Sequence, residues 1–446
     1  MKKLTLIITL ALLTICYIDT AAQEVITIQQ AIENTLNNNL QIKKSRLSED
    51  VAFENFRQSR LAIYPSLNAG LNQDMGWGRN NLGNTGIYEN TQNYSFRPGA
   101  SASVDIFNGF AKLNQIRQNK ILLEVGKANT DKVKNDLILQ VVTSYMDILY
   151  NRDRLKAARQ QLEVANLQLK QQQELLDVGN KTLADIAETR ALVATAELDV
   201  TTAENALSIS LIILAQLMDI PSDTRYEVQA PSIDTFKEPT MVFSAEQVYQ
   251  QALNIYPDIK LAGLRTASAK KDIDISKGGY FPRVTLSGSY GSFYNYNYNL
   301  SANENAHFWN QIKNNVSKGV GLGISIPIFN GLQTRITVKR AKINYMQYQV
   351  DEQLAKNNLN KIVYQAVADL KAARSTYESA TKTFNARSEA FVVTEQRYNV
   401  GLVNSLDFNT SQTNRNKAEI DMIRAKYDLL FKAKVIDYYL GKQIVF

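Results

Sequence analysis

The sequence predicts a mainly helical, tandem-duplicated chain that carries four strands with a membrane-facing pattern, and three observations predict it. Motifs return at a nearly constant spacing along the chain. Two stretches of more than a hundred residues, 110–220 and 332–446, contain no proline and only Gly126, Gly179, Gly401 and Gly441. Between the helical stretches, each copy of the repeat alternates apolar with small or polar residues at the period of a strand. Tyr64-Pro65-Ser66-Leu67 returns as Phe281-Pro282-Arg283-Val284, an offset of 217, and Leu36 to Lys43 aligns with Leu253 to Lys260 at the same offset. Ile106-Phe107-Asn108-Gly109 returns as Ile328-Phe329-Asn330-Gly331, an offset of 222. The five extra residues of the second copy therefore lie between its proline motif and its FNG motif. A unit this long is a duplicated supersecondary module and not a solenoid repeat.

The first element is a leader. Met1-Lys2-Lys3, the apolar run Leu4 to Ile18 and Thr20-Ala21-Ala22 before Gln23 have the three parts of a secretory signal peptide, so residues 1–22 are expected to be removed. Cys16, the only cysteine, falls inside that leader, which leaves the mature chain without thiol chemistry. Ile15 stands where a lipid anchor on Cys16 would need a small residue. Without the leader, which carries Lys2, Lys3 and Asp19, the balance is 48 basic against 42 acidic residues, with no basic block, which gives no reason to expect nucleic-acid binding. Repeat 1 is then expected over 23–230 and repeat 2 over 231–446.

Each repeat opens with a helix, Ile28 to about Leu61 and Ala245 to about Ser276. A strand pair follows, about 64–108 in the first copy and 281–330 in the second. Leu67, Ala69 and Leu71, then Ala100, Ala102, Val104 and Ile106, supply the apolar face in repeat 1. Val284, Leu286, Gly288 and Tyr290, then Val320, Leu322, Ile324 and Ile326, supply it in repeat 2. One apolar and one small or polar face fits a strand between lipid and an aqueous lumen, and fits a soluble sandwich equally well. Two features favour lipid. Segments of about 13 residues reach about 40 Å before tilting, and aromatics gather near the strand ends (Tyr64, Trp77, Phe107, Phe281, Phe293, Tyr294, Trp309, Phe329). Gly78 to Asn93 and Asn295 to Asn314, rich in Asn and Tyr, are expected as external loops. No run of 18 apolar residues follows the leader, so any membrane contact is expected from strands. Four strands cannot close a barrel, which requires oligomerisation into eight or twelve.

The helical hairpins follow, about 110–218 and 332–440. Phe110 to Leu176 as one helix would be about 100 Å long. Leu137, Val141, Tyr145 and Ile148 match Leu359, Val363, Val367 and Leu370 at helical spacing. Each long helix breaks at Val-Gly, in Val178-Gly179-Asn180-Lys181 and Val400-Gly401-Leu402-Val403. Thr182 to Asp185 and Asn404 to Asp407 then read as helix starts with a capping residue followed three later by a carboxylate. Residues 221–243 hold Pro221, Pro231 and Pro239 and break the helical pattern.

In this order and spacing, twice over and across nearly all of the mature chain, these motifs make the sequence similar to the TolC family of outer-membrane efflux and secretion channels. The carriers are the leader, the duplication, the proline motifs at Pro65 and Pro282, the aromatic-Asn-Gly exits at Gly109 and Gly331, and the two hairpin turns. The resemblance implies a homotrimer in the outer membrane of a Gram-negative bacterium, with a twelve-stranded β-barrel on a twelve-helix periplasmic tunnel and an irregular belt, residues 221–243, partway along it. It also implies a periplasmic adaptor docked at the turns (Val178, Gly179, Asn180, Lys181, Val400, Gly401, Leu402, Val403) and an inner-membrane pump of RND, ABC or MFS type. Asp185 and Asp407 match the acidic position that narrows the entrance, and Glu188 lies one turn further along in the first copy, where the second has Thr410. The first turn departs from the pattern, with Asn180-Lys181 where the second has Leu402-Val403, so a positive charge is expected beside Asp185 and the second turn offers the more apolar contact. The alternative is a periplasmic coiled-coil scaffold or adaptor with a soluble strand domain. No nucleophile elbow, phosphate loop or zinc motif is present, and His307 has no partner at ligand spacing, so neither a catalytic residue nor a cofactor is expected.

Overall fold

The computed structural model describes residues 24–81, 86, 88–221, 226–230, 244–298 and 306–442. The leader and most of the 221–243 belt lie outside the described residues. Two compact units divide the chain, and each takes segments from both repeats. One holds the described residues through Ser45, Thr130–Pro257 and those from Lys356 onward; the other holds Arg46–Asn129 and Asp258–Ala355.

In chain order the elements are β1 (Glu24–Ile26), α1 (Ile28–Asn38), α2 (Leu40–Leu61), β2 (Ser66–Asn81), β3 (Tyr88–Asn108), α3 (Ala111–Asp177), α4 (Leu183–Met218), β4 (Tyr226–Val228), α5 (Ala245–Ile255) and α6 (Pro257–Lys277). They continue with β5 (Arg283–Gly291), β6 (Tyr294–Asn297), α7 (Phe308–Asn314), β7 (Ser317–Ser325), α8 (Gln333–Asn399) and α9 (Ser405–Tyr439). Helices α3 and α8 are each 67 residues long. The opening helix of each repeat is broken once. Asn39 ends α1 and turns its side chain to the Leu217 carbonyl, 2.9 Å away, and Tyr256 ends α5 because Pro257 disfavours the helical conformation in the residue before it.

The five-stranded sheet runs β2-β3-β5-β7, with β6 also on β3, and all its pairs are antiparallel. The four expected strands become five because the third is split. β5 and β6 share one register along β3, and the interruption at Ser292-Phe293 lies opposite Pro98, which has no N–H to complete the ladder. The strands measure 16, 21, 9, 4 and 9 residues in place of a uniform 13. Much of the two expected loops is ordered too. Gly78–Asn81 and Tyr88–Asn93 extend the first hairpin. α7 folds onto β6, its Gln311 side chain donating to the Asn295 carbonyl and accepting from the Asn295 N–H at 2.9 and 3.0 Å. β7 stops at Ser325, short of the expected Ile326.

In the first unit a core forms around Tyr145, with Ile26, Ile28, Val141, Leu149, Leu214, Met218, Tyr226 and Leu430. β1 and β4 pair in parallel over three residues each. The Tyr145 hydroxyl ties this ladder down, lying 3.0 Å from the Ile26 carbonyl and 2.7 Å from that of Gln229. Burial pushes the phenol up to about 12.

Among the described residues one helix, α4, is long and apolar enough to cross a membrane. Its Leu214, Ala215 and Met218 lie in the core, while Ile209, Ile212 and Ile213 are exposed. The Leu207–Met218 segment is therefore buried on one face only.

Candidate functional site

Both long helices end in the same way. Gly179 and Gly401 take φ of +81° and +78°. Their N–H groups donate to Leu176 and Tyr398, and the next N–H groups reach back to Leu175 and Arg397. This is the Schellman arrangement, which needs a left-handed residue that glycine adopts without steric cost.

The restarts differ between the copies. Before α4, the Thr182 N–H and hydroxyl donate to Asp185 Oδ2 at 3.0 and 2.8 Å, while the Asp185 N–H donates to Thr182 Oγ1 at 3.2 Å. That is a complete capping box. Before α9 only half of it forms, with the Asp407 N–H donating to Asn404 Oδ1 at 2.8 Å. The Asp407 carboxylate is exposed and has no hydrogen bond or ion pair among the described residues. Asp185 is instead held below the usual carboxylate range, first by the Thr182 backbone N–H, then by its hydroxyl, with smaller help from Ser405 and Lys181.

Two contacts link the hairpins within one chain. The Ser405 hydroxyl lies 3.0 Å from Asp185 Oδ1 and 3.2 Å from Glu188 Oε2, one proton facing two carboxylates. Lys181 Nζ donates to the Tyr398 hydroxyl at 3.2 Å and sits 4.4 Å from its ring centroid. Tyr398 in turn stacks on buried Phe408 at 4.6 Å. Asp185 and Glu188 thus meet through Ser405, while Asp407 stays apart from both contacts. Lys181 is committed to Tyr398, and only its longer-range field reaches Asp185. Val178, Leu183, Val400, Leu402 and Leu406 leave apolar side chains exposed around the turns.

Tyr398 and Phe408 belong to no motif that the sequence displays, and Ser405 lies inside the Asn404–Asp407 helix start without being its capping residue. Their signal lies in the divergence of the copies. At the 222-residue offset, Ser405 replaces Leu183, Tyr398 replaces Leu176, Val403 replaces Lys181 and Thr410 replaces Glu188, so of the residues that bridge the hairpins only Asp185 keeps its counterpart, Asp407.

At the other end of the hairpins, Gly109 and Gly331 both take positive φ, +64° and +63°. A Cβ on Gly109 would stand 2.3 Å from the Gly278 carbonyl oxygen, so the strand exit there requires glycine. Pro65 and Pro282 lie immediately before β2 and β5. No group of His, Cys, Asp and Glu able to hold a metal occurs among the described residues.

The family model for outer membrane efflux proteins matches residues 31–219 and again 248–442. The chain belongs to that family. It is 23% identical to the outer membrane protein TolC of Vibrio cholerae over 91% of this chain and 88% of that one. It is 24% identical to TolC of Escherichia coli over 93% and 82%. Its fold matches the outer membrane channel CmeC of Campylobacter jejuni with a TM-score of 0.78 at 17% identity, covering 93% of this chain and 85% of that one. The protein is an outer-membrane efflux channel component of a Gram-negative cell, and the soluble scaffold reading falls. Its family is one of passive ducts and not of enzymes.

Proposed function

We propose that three copies close their sheets into one twelve-stranded barrel above a tunnel of helical hairpins, and that the hairpin turns form its periplasmic entrance. The observation that carries this reading is the sheet itself. It is open at β2 and β7, and the outward residues Leu67, Leu71, Val320, Leu322 and Ile324 are exposed on one face. Four spanning strands leave unpaired backbone groups at each edge, which hydrocarbon does not tolerate and a closed barrel satisfies. Eight strands from two copies would also close; the twelve-stranded form follows from the likeness to the family.

At the entrance, Asp185 and Glu188 are engaged by Ser405, so Asp407 supplies the free carboxylate. Three of them would make a ring that favours cations. The exposed apolar residues of the second turn, Val400, Leu402 and Leu406, are the contact for a periplasmic adaptor, which couples the duct to an inner-membrane pump of RND, ABC or MFS type.

Light scattering in detergent, with unheated and heated gels, tests the assembly; a monomer would refute it. Planar-bilayer recording tests the entrance. Asp407→Asn should lower cation selectivity, read as a shift of reversal potential in a salt gradient, and an unshifted potential would remove Asp407 from the gate.

A further inference from the structure

The internal repeat contains a copy of the junction that a second molecule must form. β2 pairs with β3 so that Ser66 faces Ser103, and β5 pairs with β7 so that Arg283 faces Ser325. Moving the first pair by the two sequence offsets, 217 and 222, gives the second pair, so the repeats are equivalent residue by residue in the ladder. The chain also shows how one repeat joins the next, through β3 and β5. The opposite junction, from repeat 2 onward, is missing because β7 is an edge.

Several residues bear the mark of that absence. Phe107 is half-buried and paired with Val284, whereas its counterpart Phe329 is 81% exposed. Gly109 is packed on Gly278, whereas a Cβ added to Gly331, which has nearly the same φ, would meet no atom within 4 Å. β3 continues to Asn108 where β5 supports it, while β7 ends at Ser325, and the counterpart residues 326–330 are unpaired.

We propose that a second copy of this chain pairs its β2 with β7 in the register that the β3–β5 junction dictates. Ala102 faces Gly288 there, which places Ile324 opposite Leu71 of the second copy. The same shift places Leu322 opposite Gln73, and Ile326 opposite Ala69. Phe96 facing Tyr294 becomes Lys318 facing Trp77. The pairing keeps faces consistent along its length, apolar residues of β7 meeting the outward residues of β2. Lys318, already 5.8 Å from the Tyr290 ring, gains a second aromatic neighbour in Trp77, which is 69% exposed in the single chain. Pro327 falls at the position of Asp105, where β3 shifts register, and a bulge is a place where a sheet tolerates proline. The ion cluster that marks the intramolecular junction, Asp105 with Arg283 and Lys112, maps to Pro327, Ser66 and Thr334, so the intermolecular seam is an apolar and hydrogen-bonded one.

The proposal rests on the assembly reading above and refines it to single residues. Its test uses disulfides in native membranes. With Cys16, the only cysteine in the sequence, changed to Ala, the pair Ile324→Cys with Leu71→Cys is compared with Ile324→Cys with Ala69→Cys and with Gln73→Cys. Directly opposed Cβ atoms lie within about 5.5 Å and diagonal ones about 7–8 Å apart, so mild oxidation without a spacer separates the registers. The expected result is a covalent trimer on a non-reducing gel from the Leu71 pair and little from the other two. Preferential bridging by a slipped pair, or no bridging in a protein that light scattering shows to be trimeric, overturns the register and leaves the assembly standing. A monomer in light scattering overturns both.

Discussion

Ser405 is the residue on which the two hairpin turns converge, because its one hydroxyl lies between the carboxylates of Asp185 and Glu188. Removing it takes away the one donor that Asp185 Oδ1 and Glu188 Oε2 share, and with it the link from α9 to both carboxylates of α4, while Thr182 still holds Asp185 Oδ2. Ser405→Ala is therefore expected to loosen the turns and raise the mean single-channel conductance in planar bilayers, and a conductance equal to wild type would show that this contact does not restrain the entrance. Acid acts on the same place from the other partner. The folded state holds Asp185 below the usual carboxylate range, so its contribution is present above the unfolded value of about 3.9 and is lost as pH falls through the folded one. Channel opening should thus show a step below about pH 4 that is absent in Asp185→Asn. A wild-type trace unaltered between pH 7 and pH 3 would count against this assignment.

Among the elements, the short β1–β4 ladder depends most on a single side chain. Three residues per strand cannot stand alone in water, and the Tyr145 hydroxyl ties both strands to α3 through the Ile26 and Gln229 carbonyls. Tyr145→Phe keeps the ring and drops that donor, for an expected loss of about 1–3 kcal/mol. Limited proteolysis near residue 230 should quicken in this variant, and unchanged cleavage would mean the ladder is held by burial alone. This ladder is not legible in the sequence, since Glu24–Ile26 and Tyr226–Val228 are too short to show alternation. The long helices are legible because proline is absent over a hundred residues and apolar spacing persists. The strand pairs are legible in position and not in length, for Pro98 breaks the third strand from its partner and no local pattern reveals which residue a proline will face. α7 is hidden for a similar reason. Phe308–Asn314 is a short run of polar and aromatic residues, and it is fixed by Gln311 reaching a strand 16 residues away.

For the whole molecule, the duplication separates assembly from entrance along the chain. The edge strands proposed to join copies, β2 and β7, lie in Arg46–Asn129 and Asp258–Ala355, while both turns lie in segments of the other compact unit. A change confined to a turn should then spare the trimer and impair transport. Gly401→Pro makes the sharpest version of that change. Proline fixes φ near −65°, whereas Gly401 sits at +78°, and proline also removes the N–H that caps α8 on the Tyr398 carbonyl. Displacing that cap moves Tyr398 and Leu402 together, so both the Lys181 contact and the apolar surface of the second turn are disturbed. The expected phenotype is loss of export with a heat-sensitive trimer band intact on an unheated gel. If the trimer disappears along with export, the turn contributes to assembly, and the division between edge strands and hairpin turns drawn from the repeat does not hold.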